Sequence, residues 1–360
     1  MSEDIKPIKY QILADAIMEK IKNGYYQPGD KLSSENELSR QLGYSRQTVR
    51  QALSVLERNG ILSRQRGSGT YINSHVPKPE RTHRIGVITT YITDYIFPSI
   101  TRGIEDELSK NGYQLTLGVT KNRVENEAKI LKSFLESNID GMIVEGTKTA
   151  FPNPNIPLYL QLQNEGIPCV FINGYYRDLP SIYVATNDRD CGYEAAEYLL
   201  HGNSEKKLGG IFKSDDMQGH ERYAGFAGAI FEHGSDLNDE SIIWYTTADK
   251  DEIFSQANAA HLLKCLNGCS GVVCYNDQIA YELIEFLLAH SIRVPEDIEV
   301  IGFDNSNLSE YSKVKITTFD HPKELLGQQA ADKIIHMVEN GAEEKSVVMN
   351  MNFVIKNSTK

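Results

Sequence analysis

Cysteine is scarce: five in 360 residues, an odd number that is awkward for a disulfide framework. Cys265, Cys269 and Cys274 cluster, but no histidine stands beside them at a recognised ligand spacing, and Cys274 lies in an apolar, strand-like run. Core thiols are the better reading, and no metal is expected. No apolar run approaches the ~20 residues that a membrane span needs. Met1 to Tyr10 carries Glu3, Asp4, Lys6 and Lys9 where a secretory signal would be apolar, which points to a cytoplasmic protein with no membrane partner. Also missing are a glycine-rich nucleotide loop ending in Lys-Ser/Thr and any evident Ser/His/Asp order, so no catalytic residues and no cofactor are assigned.

Positive charge is short as well. The net charge is −12, which by itself speaks against nucleic acid. Its distribution says otherwise. Residues 1–74 hold 11 Lys+Arg against 8 Asp+Glu, a net +3, which leaves −15 for the remainder. Residues 40–74 contain six arginines and one acid, Glu57. A small basic module precedes a large acidic one.

What is present in the basic module is a sequence of start and stop signals. Ile8, Ile12, Ala16 and Leu13, Ile17, Ile21 recur at helical spacing over 8–22. Pro28-Gly29-Asp30 reads as a turn, and Ser34-Glu35-Asn36-Glu37 as a capping box for a short second helix that Gly43 ends. Ser45 can cap a third helix, where Val49, Ala52, Leu53 and Leu56 form one apolar stripe. Two short strands follow near 61–65 and 70–72. The spacing predicts a winged helix-turn-helix over 1–74 and a Pro-containing linker over 75–84. Arg46, Gln47 and Arg50 lie off the apolar stripe at the start of the third helix, the part of such a helix that meets base edges. Taken alone, these residues could equally be a solvated basic face.

From Ile85 the pattern changes. Strand-like runs (85–89, 113–119, 141–144, 169–172) alternate with helix-like ones (99–110, 126–137, 157–165). A second set has strands near 208–212, 242–246, 271–274 and 298–302, with helices near 190–200, 221–231, 253–266 and 277–290. Such alternation predicts an α/β domain, 85–360, with parallel sheets in two lobes around a cleft. In open α/β sheets ligands sit at the carboxyl ends of strands. The residues there include Asp94, Tyr95 and Phe97, Glu145 and Lys148, Asp215 and Asp216, Arg222, Asn276 and Asp277, Asp304 and His321. Carboxylates, amides, an arginine and aromatic rings suit a sugar, although any one of them could be a helix cap or a solvated loop residue.

Two resemblances sharpen this reading. Residues 23–72 resemble the GntR-type winged helix in Pro28-Gly29-Asp30-Lys31-Leu32, Ser34-Glu35-Asn36-Glu37-Leu38, Ser45-Arg46-Gln47-Thr48-Val49-Arg50 and Gly67-Ser68-Gly69-Thr70. That resemblance implies operator DNA as partner, contacted by Glu35, Ser45, Arg46, Gln47, Arg50 and the wing at Arg66-Gly67. Ser33 departs from the usual proline and Arg66 from the usual glutamine or small residue. Residues from about Arg84 onward resemble the LacI-type effector domain. By that resemblance Asp94, Tyr95 and Phe97 form the first-strand loop, Arg222 is the ligand arginine, Asn276, Asp277 and Asp304 are polar anchors, and His321 stands where glutamine is common. It also implies three crossings between the lobes, with a C-terminal strand near 346–355 completing the second. The LacI hinge helix has no counterpart in 75–84.

The combination resembles the AraR-type arabinose repressors, carried by Thr89-Thr90-Tyr91, Asp94 to Ile100, Ile139-Asp140-Gly141, Phe212-Lys213 and Cys274 to Asp277. It implies a repressor released from its operator by L-arabinose, and a homodimer is expected, with two winged helices spanning a pseudo-palindromic operator. Gly146 and Asn305 depart from the expected proline and aspartate and leave the exact sugar open. Three alternatives stand beside this reading. One keeps the repressor with another pentose, a hexose or a purine. One is a sugar-acting enzyme using Asp215, Asp216 or His220 as acid–base groups. One is a transport-type binding protein, which the basic head disfavours.

Overall fold

The computed structural model describes residues 9–22, 25–58, 60–65, 68–73, 81–93, 95–202, 206–341 and 344–360. The chain divides into two units, Met1–Arg81 and Thr82–Lys360. Of the expected linker, 75–80 lies outside the described residues. Thr82 and His83 already belong to the larger unit, where their backbone N–H groups donate to the Asp140 carboxylate at 2.9 and 2.7 Å.

The head contains α1 (Lys9–Lys22), α2 (Glu35–Leu42), α3 (Arg46–Arg58) and an antiparallel wing of β1 (Leu62–Gln65) and β2 (Gly69–Ile72). The α3 stripe Val49, Ala52, Leu53 and Leu56 packs on Leu38 of α2, on Leu13, Ala14 and Ile17 of α1 and on Leu62 and Ile72 of the wing. Of the two helical lines expected in α1, the one through Leu13 and Ile17 faces this core, while Ile12 is exposed. The capping box forms in full: Ser34 Oγ accepts from Glu37 N at 3.3 Å and Glu37 accepts from Ser34 N at 2.8 Å, an arrangement that stabilises a short helix by about 1 kcal/mol. Ser45 Oγ caps α3 by accepting from Thr48 N at 3.2 Å.

The sensor begins with β3 (Arg84–Thr89), α4 (Phe97–Lys110), β4 (Gln114–Val119), α5 (Val124–Glu136), β5 (Gly141–Val144), α6 (Ile156–Asn164), β6 (Cys169–Ile172) and β7 (Ile182–Thr186). A second lobe follows: α7 (Asp188–Leu200), β8 (Leu208–Lys213), α8 (Met217–Glu232), β9 (Ile242–Tyr245), α9 (Ala259–Cys265), β10 (Gly271–Cys274), α10 (Asp277–Ala289), β11 (Glu299–Ile301), α11 (Asn307–Tyr311) and β12 (Thr318–Asp320). The chain ends with α12 (Lys323–Asn340), β13 (Val347–Met349) and β14 (Asn352–Val354). The first lobe holds a parallel sheet in the order β13-β7-β6-β5-β3-β4, the second a parallel sheet in the order β11-β10-β8-β9. In the first sheet Ile85 and Val87 face α4 and α12, whereas Ile88, Met142 and Val144 face α5 and α6. Burial on both faces is why these strands read as unbroken apolar runs.

The expected C-terminal strand is in fact divided. Val347–Met349 pairs with β7 in the first lobe, and Asn352–Val354 pairs antiparallel with β12. A chain that must return α12 to the first lobe can complete that sheet before crossing again. The crossings fall near 187, 321 and 350. Asn187 ties the first to the third: its N–H donates to Met349 O and its Oδ1 accepts from Met351 N, both at 3.0 Å. Among the described residues, no helix is long and apolar enough to cross a membrane.

Candidate functional site

In the head, the start of α3 is exposed at Arg46, Gln47 and Arg50. Glu35, at the first position of α2, stands against two arginines: Arg64 Nη2 of the wing donates to it at 3.2 Å, and Arg46 Nε lies 3.8 Å away. One carboxylate thus stands between the helix and wing guanidinium groups. Gly69 has a φ of +134°, and a Cβ there would press on the Lys31 side chain. Arg66 and Gly67 lie outside the described residues.

In the sensor, each sheet has one place where the strand order reverses. In the first lobe it lies between β3 and β5, in the second between β8 and β10. A crevice opens at the carboxyl ends of such strands. A cavity of about 430 Å³ lies between the lobes and is lined from these four ends by Thr90 and Tyr91, Glu145 and Gly146, Lys213 and Asp216, and Tyr275 and Asn276. This size falls within the range of small-molecule pockets. Tyr95, Phe97, Asn122, Thr149, Asn173, Gln218, Arg222, Tyr245, Thr247, Lys250, Asp251, Gln278 and Asp304 add to the wall.

Arg222 is buried to 1% exposure. It donates to Asp188 Oδ1 from Nε at 2.8 Å and to Tyr275 O, has Asp304 Oδ1 at 3.6 Å, and lies 4.3 Å from the Phe303 ring centre. Burial works against its charge, but Asp188 and Asp304 outweigh burial and hold its pKa above the ordinary value. Glycine brings these partners together: a Cβ on Gly192 of α7 or Gly225 of α8 would collide with the other helix's backbone. Tyr95 joins the lobes, donating to Asp304 Oδ2 at 2.6 Å and accepting from Asp277 N at 3.2 Å. Glu145 accepts from Thr90 N and Oγ1 at 2.9 and 2.7 Å and from Asn173 Nδ2 at 3.0 Å. Burial raises its pKa against those hydrogen bonds. Lys213 meets Asp216 at 2.5 Å and Asp215 at 3.7 Å.

Of the expected sugar contacts, Tyr95, Phe97, Glu145, Arg222, Asn276 and Asp304 line the cavity; Asp94 lies outside the described residues. Three others do not line it. Lys148 offers its backbone N–H to Asn122 Oδ1 at 2.9 Å. Asp277 accepts from Ser306 N at 2.7 Å and Thr318 Oγ1 at 2.6 Å, and burial with Asp304 nearby pushes its carboxyl up to about 7. His321 faces Asn173 Oδ1 at 3.2 Å through Nε2, and burial lowers its pKa to about 4. The cap of α10 comes from Asn276, which accepts from Ile279 N at 3.1 Å. Asn305 bonds to Asp320 and Lys356 away from the cavity, whereas Gly146 lines it and a Cβ there would press on Thr149.

A model of the bacterial regulatory proteins of the gntR family matches residues 9–72, and one of the periplasmic binding protein-like domain matches 199–359. Over its full length the chain is similar to the arabinose metabolism transcriptional repressor of Halalkalibacterium halodurans, 39% identical over 98% of this chain and 96% of that protein. The corresponding repressor of Geobacillus stearothermophilus is 36% identical over 100% of both. The chain belongs to this family of arabinose metabolism transcriptional repressors. The sensor also matches a solved structure, the transcription regulator CcpA of Lactococcus lactis, with a TM-score of 0.69 and 26% identity over 78% of this chain and 100% of that one.

As in its relatives, the repressor joins a DNA-binding head to a sugar-binding type of sensor, and these relatives are regulators, not enzymes. Asp215, Asp216 and His220 are placed accordingly: Asp215 accepts from Thr247 N at 3.0 Å, Asp216 pairs with Lys213, and His220 Nε2 meets Ser214 O at 2.8 Å. Sequence reading missed Asn122, Asn173, Lys213 and Tyr245 as wall residues. A signal for two of them was present, since Asn173 directly follows β6 and Lys213 ends β8.

Proposed function

We propose that L-arabinose is the effector of this repressor, that it occupies the interlobe cavity, and that the working form is a homodimer whose two heads span a pseudo-palindromic operator. The observation that carries the reading is the cavity itself. Carboxylates, amides, a buried arginine and aromatic rings from both lobes converge on a space of about 430 Å³, and full-length relatives bear arabinose metabolism in their names. Glu145, Asp304, Asn276 and Arg222 supply acceptors and donors for hydroxyls, and Tyr95 and Phe97 supply the apolar faces. In the head, Arg46, Gln47 and Arg50 read base edges, with Glu35 orienting Arg46 and Arg64. Sugar held by both lobes favours the closed cleft and a dimer that cannot span both half-sites. The coupling is reciprocal, so operator DNA weakens sugar affinity by the factor by which sugar weakens operator affinity.

Calorimetric titration of the full chain with L-arabinose, its epimers and other small sugars tests the effector. L-Arabinose is expected to bind most tightly and to lower operator affinity in a parallel fluorescence-anisotropy assay. Tighter binding of another sugar, or operator affinity unchanged by L-arabinose, would overturn the proposal.

A further inference from the structure

Glu127 of α5 does not line the cavity and makes none of the hydrogen bonds that join the lobes, yet several of those bonds depend on the segment it holds. Its side chain is 0% exposed. It accepts from Tyr176 OH at 2.6 Å, Tyr159 OH at 2.9 Å, and Asn153 and Asn155 Nδ2 at 2.7 Å each, with Thr147 N at 3.4 Å. All five donors are neutral. Taking a carboxyl group out of water is costly, and the hydrogen bonds of this shell offset that cost. A shell that satisfies the group specifies one arrangement of the chain around it.

The chain so arranged is 147–155, which reaches the second lobe. Thr149 Oγ1 accepts from Met217 N at 2.9 Å, and Ala150 N donates to Asp215 O at 3.3 Å. Lys148, with a φ of 48°, donates its N–H to Asn122 Oδ1, and the other end of that amide donates to Thr247 Oγ1 at 2.6 Å. Asn122, Thr149 and Thr247, which make these links, all line the cavity.

We infer that Glu127 is a positioning residue for cleft closure: it holds 147–155 in the one shape that latches the first lobe onto the start of α8. The effector binds the closed cleft, so its apparent affinity scales with the fraction of molecules that can close. This inference rests on the proposed effector only for its sugar readout.

The test uses the full chain with Glu127→Gln and with Tyr159→Phe, which removes one donor to Glu127 and keeps the ring. L-Arabinose affinity is measured by calorimetry, the interlobe distance by energy transfer between one fluorophore on each lobe, and sensor unfolding by Trp244 fluorescence. Glu127→Gln is expected to weaken sugar binding about tenfold and Tyr159→Phe about threefold, with the sugar-free distance distribution shifted to longer values in the same order. Wild-type affinity and distances in both variants, with or without a change in unfolding, would overturn the inference. If Glu127→Gln fails to fold, Tyr159→Phe decides. If the wild type does not bind L-arabinose, the proposed effector falls, and the sugar-free distances still decide the role of Glu127.

Discussion

Arg50 of the head and Arg222 of the sensor carry the same guanidinium group into opposite surroundings. Arg50 is exposed on α3, whose other face is buried. Arg222 is buried in the cavity wall between two carboxylates, a backbone carbonyl and an aromatic ring. In the head the fold spends its apolar residues on a small core and leaves its cations in water, where they attract a polyanion at little cost. In the sensor a cation is taken out of water and held by carboxylates and a carbonyl of the protein itself, so the cavity is shaped in advance. On the proposed function, exposed arginines serve recognition more than stability, and the buried arginine serves both.

The strongest way to break that contrast is Arg222→Ala. It leaves Asp188 and Asp304 facing each other without their cation and is expected to cost about 3–5 kcal/mol. Trp244, the only tryptophan of the chain, lies in the sensor and reports this in a urea titration by fluorescence. Calorimetry on folded variant at low temperature should show no response to L-arabinose. Unchanged stability would mean that the buried cluster is not what holds the wall. Next comes Arg50→Ala. It is expected to lower operator affinity by about 1–3 kcal/mol, fivefold or more, while changing stability by no more than about 0.5 kcal/mol. Anisotropy titrations at two salt concentrations and circular dichroism melts check the two halves. A loss of stability matching the loss of affinity would show that the head, too, relies on its cations to fold.

The third test uses pH. Asp277 titrates near 7 in the folded sensor, because of burial and then Asp304, against about 4 unfolded. The folded state keeps a proton that the unfolded chain has released, so this contribution is present below pH 4 and is lost as pH rises towards 7. His321 runs the other way: lowered by burial to about 4, its contribution is present above about 6.5 and is lost as pH falls through 4. In the wild type the two oppose each other over most of that window. Asp277→Asn removes the first and leaves the second. Its stability relative to wild type is expected to rise with pH, by up to about 1.4 kcal/mol per unit between pH 4 and 7. Urea titrations at half-unit steps, followed by Trp244, measure the slope. A flat difference would show that Asp277 is not protonated in the folded sensor.

Some of this was legible early because its causes are local. The capping box at Ser34, the stripe from Val49 to Leu56 and the runs that became β3, β5, β8 and β10 all depend on neighbours within a turn or a strand. Two kinds of element escaped. The strand at 182–186 and the helix at 323–340 were not recognised, and the C-terminal strand was assigned to one lobe where it serves both. What decides those assignments is which sheet edge is within reach after a crossing, and that is not encoded within a ten-residue window.

The same division runs through the site. That a basic head precedes an acidic sensor, and that polar groups and rings end the strands, can be read from the chain alone, because charge and strand-end composition are properties of segments. It takes the folded chain to show that Tyr95, Arg222 and Asp304 line the cavity while Asp277, His321 and Lys148 do not. Facing depends on which strands flank the two reversals of order, and on which side chains have already consumed one another's hydrogen bonds.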